Sequence, residues 1–397
     1  MRICVIGLRG LPAVIGGIET HCENLYTRLA ALDPELDILL LTRNGYTELG
    51  DHEFQGVRIR SLWAPAMPGV ETVLHTLLAL IHARLFVRPD IVHLHGIGPG
   101  FFSLLSRLFG FTTLVTHHAR DFERPKWGIV GRTFLRAGEF LAAHFAQRVI
   151  CVSNALRETL LARYPYAANR LITIRNGGSL VRDTGKNDSS VLEEFGLAQG
   201  GYILAVGRLE ATKAFHELIE AYLLAEPADR PLVIVGSAFT EDEYSRRLMA
   251  SGSDRIRFIG FQNWDALRKL YENAALFIHP SHMEGFGLVI AEALSAGAPV
   301  VASDIAAHRE FELDEHSYFR PGDIPAMAGL LSQPDYSRHR SAHACELQRL
   351  NTWDGNAAKH LKLLREIAPR RSRKSAATMP ARGIDVVHSA RRSNRPQ

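Results

Sequence analysis

Short runs of β-branched and aliphatic residues recur along this chain with helical patterns between most of them, and that rhythm stops once and then restarts. RICVIG (2–7), DILLLTR (37–43), DIVHLHG (90–96), TTLVTHH (112–118), RVICVS (148–153) and LITIRNG (171–177) come first. Such alternation predicts a parallel sheet with helices on both faces. Residues 178–200 are rich in Gly, Ser and Asp and lose the pattern, which reads as a linker. YILAVG (202–207), PLVIVG (231–236), IRFIGF (256–261), LFIHPS (276–281) and APVVAS (298–303) then resume it. The expectation is an α/β protein of two Rossmann-like domains, 1–177 and 201–350, facing across a cleft. A C-terminal amphipathic helix within 351–368 follows, and a basic tail, 369–397, whose Arg/Ser/Ala/Pro composition predicts disorder.

Length and charge narrow the function. A chain of 397 residues accommodates two ordinary cores, and 46% apolar with 22% charged residues describes a globular protein. The net charge of +4 is misleading, because eight Lys/Arg and one acidic residue lie from Arg370 onward. The remaining 1–369 carry 38 basic and 41 acidic groups, so charge gives no indication of a nucleic-acid partner. Cys4, Cys22, Cys151 and Cys345 are widely spaced without metal-type patterns, which points to a reducing, cytoplasmic compartment. The run after Met1 suits a first strand rather than a signal peptide. No stretch reaches the ~18 uncharged apolar residues of a membrane span; the nearest, 73–87, is broken by two His and an Arg.

In open α/β sheets, ligands bind beyond the carboxyl ends of the strands, and the polar residues of interest fall there. In HPSHMEGFGLVIAEALSAGAPVVAS (279–303) a strand, a Gly-rich turn and a helix follow one another. Glu284 sits in the turn, and Glu292 sits among Leu, Val, Ile and Ala, where a carboxylate is costly without a partner. A helix starting near Gly287 offers free N–H groups suited to phosphate. Glu292 lies roughly 7 Å further along its axis. The competing reading is a buried glutamate paired with a structural Lys or Arg. In AVGRLEATKAFHELIEAY (205–222), Arg208 and Lys213 follow a strand and precede a helix, where two cations can neutralise a diphosphate. Solvated surface charges are the bland alternative. In GLRGLPAVIGGIETHCENL (7–25), Gly16 and Gly17 precede a helix; the spacing does not fit the dinucleotide pattern G-x-G-x-x-G.

EGFGLVIAE resembles the E-x7-E motif of retaining, nucleotide-sugar-dependent glycosyltransferases of the GT-B fold, family 4 type, and the likeness runs to about residue 367. It implies that Glu284 touches donor-sugar hydroxyls, that Glu292 holds the ribose, and that the amides of Gly285, Phe286, Gly287, Leu288 and Val289 lie near the sugar and diphosphate. It also assigns Arg208 and Lys213 to the leaving diphosphate. The 7–25 loop resembles a bacterial polysaccharide-biosynthesis subgroup, which places the Gly16 and Gly17 amides opposite the diphosphate. That subgroup carries T-x-H-G-x-D where this chain has THHARD (116–121), so His118 and Asp121 are implied near the donor sugar, with Ala119 in place of glycine. A strand-end histidine bonded to a carbonyl is the alternative for His118. His93 and His95 read as structural or cleft-lining. The chain departs from the family at VIVGSAF (233–239).

The resemblance implies transfer of a hexose-type sugar from a nucleotide-diphosphate-sugar to a saccharide, polyprenyl-diphosphate-linked, in bacterial exopolysaccharide or O-antigen assembly. No D-x-D motif occurs, so no metal and no cofactor is expected. Peripheral contact with the inner membrane through 73–88, 101–110 or the Arg-rich tail is compatible with this; ordinary sheet-covering helices compete with it. A nucleotide-sugar epimerase or phosphorylase on the same fold, or a non-catalytic sugar-nucleotide-binding subunit, are the alternative functions.

Overall fold

Mostly apolar runs of up to seven residues form the sheets, and the longer amphipathic stretches between them return the chain to the same edge. The structure is a computed structural model that describes all residues except 13, 15, 48, 49, 68, 179–189, 228, 229, 239–241 and 370–397. The first sheet holds β1 (Arg2–Ile6), β2 (Asp37–Arg43), β3 (His52–Phe54), β4 (Val57–Leu62), β5 (Ile91–His95), β6 (Thr112–His117), β7 (Arg148–Cys151) and β8 (Leu171–Thr173). Its order is β3-β4-β2-β1-β5-β6-β7-β8, parallel except at β3–β4. The second holds β9 (Ile203–Val206), β10 (Leu232–Val235), β11 (Ile256–Phe258), β12 (Leu276–His279), β13 (Val300–Ser303) and β14 (Tyr318–Phe319). It is parallel throughout, in the order β11-β10-β9-β12-β13-β14. Strand order reverses between β1 and β5 and again between β9 and β12. Each reversal opens a crevice at the strand ends, and these crevices position the site.

Three features differ from the sequence expectation. The β3–β4 hairpin was not anticipated, because β4 alternates buried and exposed residues (Val57, Arg58, Ile59, Arg60) instead of forming an apolar run. Its turn places Gln55 and Gly56 at positive φ, 48° and 79°, as a tight two-residue hairpin connection requires. β14 is only two residues long and carries no pattern. The expected linker ends early: residues 179–189 lie outside the described residues, but Ser190–Glu194 is helical and packs on the Trp264–Glu272 helix. Val191 and Leu197 are buried there, so the second domain is under way by residue 190.

The helix Trp353–Ile367 returns from the end of the second domain to the first. Ala357, Leu363, Leu364 and Ile367 join Ile3, Val5, Leu25 and Ile38 in one apolar cluster, and the helix lies along Gly17–Leu32. The segment at 73–88 is a helix, Val70–His82, with a further turn to Val87. His75, Thr76, Ala79 and Leu80 face inward, while Leu78, Ile81, Leu85 and Phe86 are exposed. By length and composition alone, Val70–Val87 would suffice to cross a membrane, and a third of it is buried in the fold.

Because Leu364 is 1% exposed in a cluster that belongs to the other domain, Leu364→Ala is expected to cost about 2–5 kcal/mol. Chemical denaturation of the full chain measures it. A loss below about 1 kcal/mol would mean that the helix is not an integral part of the first core.

Candidate active site

The carboxyl ends of β1, β5, β6, β9, β10 and β12 converge on one cavity of about 970 Å³ between the domains. That is the size of a pocket for a nucleotide-sized ligand. The residues expected at the ligand all line it: Gly16, Gly17, His118 and Asp121 from the first domain, Arg208, Lys213 and the 284–289 turn with Glu292 from the second.

The second-domain wall is built on β12 and the helix behind it. The strand ends at His279, Gly287 caps the next helix, and that helix runs Leu288–Ser295. Its first N–H groups, those of Leu288 and Val289, have no carbonyl one turn back to accept them, and both residues line the cavity. The Glu284 carboxylate accepts from Nζ of Lys213 and pairs with Nε2 of His279 at 2.8 Å. Burial works against its ionisation, but Lys213 and His279 outweigh that and hold it well below the usual carboxylate range.

Glu292 is in the opposite condition. It is 6% exposed, its one side-chain partner among the described residues is the Tyr271 hydroxyl at 3.1 Å, and burial pushes its pKa up to about 8. That shift favours the protonated carboxyl at neutral pH. Among the described residues no Lys or Arg pairs with it, although the competing structural reading required one. The two cations expected to be open to a diphosphate are both engaged by carboxylates. Lys213 is on Glu284, and Arg208 donates to Glu210 at 3.0 Å.

The first-domain wall follows β1, β5 and β6. Gly16 caps the Gly17–Leu32 helix, whose buried Glu19 accepts the Arg9 N–H at 3.1 Å and so ties down the loop. His118 follows β6. Its Nε2 lies 3.1 Å from Nδ1 of His95, and His21 meets its ring edge-on at 4.9 Å between centroids. Burial lowers the His118 pKa well below the ordinary value, so the ring is neutral. Beneath the next loop, wholly buried Glu139 is held ionised against burial by His117 (3.1 Å) and Arg120, and accepts from Tyr164. His95 lines the cavity, whereas His93 lies in the core.

Arg124 and Gly285 both join the walls. Arg124 binds Asp121 at 2.8 Å and reaches across to Glu210 at 2.7 Å, so Glu210 sits between Arg124 and Arg208. Gly285 packs on the His118 backbone, where a Cβ would lie 1.6 Å from its carbonyl oxygen. Only glycine fits there, and the contact brings the two domains together beside the cavity. Arg124, Glu210, His21 and Glu19 were missed from the sequence. Glu210 had a signal, since it stands between the two chosen cations, but a lone carboxylate there read as loop polarity.

Among the described residues, two sets of His and Glu side chains have ligand atoms within 4.8 Å of one another: His21, His95 and His118, and His279, Glu284 and His308. In the first, two of the nitrogens already meet in the His95–His118 hydrogen bond. In the second, the Lys213 ammonium occupies the carboxylate.

Comparison with known proteins matches two families in succession. Residues 15–181 match Glycosyltransferase Family 4, and residues 194–333 match Glycosyl transferases group 1. O-antigen chain mannosyltransferase B of Escherichia coli is 31% identical over 195 residues, 47% of this chain and 51% of that protein, so the chain matches about half of its length. A glycogen synthase of Mycobacterium tuberculosis is 26% identical over 379 residues, 87% of this chain and 89% of the other. In fold, a sucrose-phosphate synthase from Thermosynechococcus elongatus aligns with TM-score 0.78 at 23% identity, covering 92% of this chain and 98% of that one. Anabaena HepE in complex with UDP-glucose gives 0.72 at 20% identity, covering 92% and 100%.

The raised pKa of Glu292 sets a pH signature. Its folded value, about 8, lies above the ordinary 4.5, so the folded protein binds the extra proton between those limits. That stability is complete below pH 4.5 and is lost as pH rises through 8. Glu292→Gln cannot titrate. Its stability relative to the parent is therefore expected to rise with pH across this window by up to about 1.4 kcal/mol per unit, read by denaturant unfolding at several pH values. A difference that stays flat with pH would show that Glu292 is ionised in the fold.

Proposed function

Because this chain belongs to the glycosyltransferases of the two-domain GT-B kind, we propose that it transfers a hexose, with retained configuration, from a nucleotide-diphosphate-sugar to a lipid-linked saccharide. One observation carries the reading: Glu284 and Glu292 flank a single helix N-terminus, with Lys213 and Arg208 on the same wall of the cavity. The diphosphate takes the helix N–H groups and both cations. Lys213 then exchanges Glu284 for phosphate, which frees Glu284 to accept from sugar hydroxyls. Glu292 accepts from the ribose. His118 and Asp121 face the sugar from the other domain.

In the transfer step the bond from the anomeric carbon to the phosphate oxygen breaks and its electrons go to the phosphate. The acceptor hydroxyl bonds to the same face of that carbon and gives its proton to the departing phosphate. Lys213, Arg208 and the helix amides balance the charge that develops there, which makes the reaction independent of a metal ion. Closure of the domains keeps water from competing as acceptor.

The acceptor side fits an isoprenoid diphosphate. Ile129 and Val130 are 85% and 84% exposed at the cavity mouth, beside Trp127 and Lys126. The exposed Leu78, Ile81, Leu85 and Phe86, with Arg84 and Arg88, suit shallow contact with the cytoplasmic face of the inner membrane. Similarity to a relative named O-antigen chain mannosyltransferase B, and to another named serotype-specific mannosyltransferase, supports a polysaccharide product.

Ligand-detected binding to UDP-, GDP- and dTDP-sugars identifies the donor. With that donor and a lipid extract, Glu284→Ala and Lys213→Ala are each expected to lower transfer by at least ~100-fold. Transfer at the parent rate in either variant, or an epimerised donor seen by NMR, refutes the proposal. Dialysis against EDTA is expected to leave the rate unchanged, and loss restored by a divalent ion would overturn metal independence.

A further inference from the structure

Behind His118 a line of hydrogen bonds runs from the cavity into the first sheet. His118 Nε2 meets His95 Nδ1 at 3.1 Å, and His95 Nε2 meets the Tyr26 hydroxyl at 2.6 Å. The same hydroxyl meets His93 Nδ1 at 2.8 Å, and His93 Nε2 meets the Thr116 hydroxyl at 2.7 Å. Tyr26, His93, His95 and Thr116 are all wholly buried or within 1% of it. The fold explains the alignment. His93 and His95 are two apart on β5 and so share a face, and the Gly17–Leu32 helix that covers this face contributes Tyr26.

Burial lowers the pKa of all three histidines well below the ordinary value, so each ring is neutral. A neutral imidazole has one N–H and one lone pair, and the phenol has one hydrogen. The line must therefore run in a single direction. Either every hydrogen points toward the cavity, which leaves the His118 hydrogen on Nδ1, or every hydrogen points toward Thr116, which leaves a lone pair there. Any mixture sets two hydrogens or two lone pairs face to face, or has the phenol oxygen accept from both rings and leaves its own hydrogen without an acceptor, in a buried place where a lost hydrogen bond is expensive. The ring plane is held as well. His118 stacks on His95 at 29°, and His21 meets it at 83° while tethered through Nδ1 to Asn176 at 2.8 Å. Among the described residues, Nδ1 of His118 has no protein partner, so it is the ring nitrogen left for a ligand.

We propose that Tyr26 is a positioning residue: its hydroxyl, acting through His95, sets which ring nitrogen of His118 carries the hydrogen presented to the donor sugar. Its kinetic consequence rests on the transferase reading; the hydrogen-bond coupling itself does not.

Tyr26→Phe deletes one oxygen and keeps the ring. In ¹⁵N NMR of imidazole-labelled protein, the parent is expected to show His118 in one tautomer and Tyr26→Phe to show a mixture. In the transfer assay kcat is expected to fall about 10- to 100-fold with donor KM within about twofold, the pattern of a misassigned tautomer and not of lost binding. An unchanged His118 tautomer in the variant, or a mixture already in the parent, overturns the proposal. So does a shifted tautomer with unchanged kcat. If Tyr26→Phe does not fold, Thr116→Val opens the line at its far end and must shift the same spectrum; no shift is a refutation. A tautomer shift in a chain whose parent shows no transfer with any donor supports the coupling and removes the transferase reading.

Discussion

Glu284 and Lys213 can both stay charged inside an enclosed cleft because each is the other's counter-ion. Their side chains are only 13% and 12% exposed, and deleting one partner of such a pair leaves a buried charge that costs more than the pair contributes. This constrains what the cleft accepts. An anionic ligand can take Lys213 without stranding it only if it also offers hydrogen-bond donors to Glu284. A sugar diphosphate carries both, in the right order. The neighbouring charges obey the same logic, since Arg208 is matched by Glu210, and Glu210 is shared with Arg124.

Two glutamates eight residues apart sit at opposite ends of the titration scale, and the difference is local. Glu284 has an ammonium and an imidazole against one oxygen. Glu292 has a phenol and aliphatic neighbours, so it keeps its proton instead of finding a counter-ion. A protonated carboxyl still accepts hydrogen bonds, and two ribose hydroxyls donating to it would favour its anion. Under the proposed function, nucleotide binding releases a proton from Glu292, while Glu284 changes partners without changing charge.

How much was legible follows from what each feature depends on. Both parallel sheets and the helix on Gly287 were readable, because a fully buried strand must be apolar along its length and a ligand-facing helix start needs its glycines. The β3–β4 hairpin was not, because Val57, Arg58, Ile59 and Arg60 alternate between core and solvent and show no apolar run. Ser190–Glu194 was hidden in polar sequence that only its contact with Trp264–Glu272 makes helical. At the site, all the expected side chains share one cavity, but their partners were invisible. Glu210, Arg124, Tyr26 and His21 lie 86, 67 or more residues from the groups they bind in several of these contacts. Sequence reading sees spacing along one strand–turn–helix unit, whereas pairing across a cleft is a property of the closed fold.

Closure and chemistry are coupled through backbone as well as charge. The Gly285 Cα rests on the carbonyl of His118, so the turn that carries Glu284 and the loop that carries His118 cannot move independently while the domains are together. His118 is in turn fixed to β5 through His95, and Glu284 to β12 through His279. Each functional side chain is therefore braced against the end of a central strand in its own sheet, and the glycine contact sets the distance between the two braces. Arg124 closes the same gap with charge, but its contact is one a ligand can exchange. The steric contact accepts no substitute, which makes Gly285 the register point of the cleft and leaves Arg124–Glu210 as the latch.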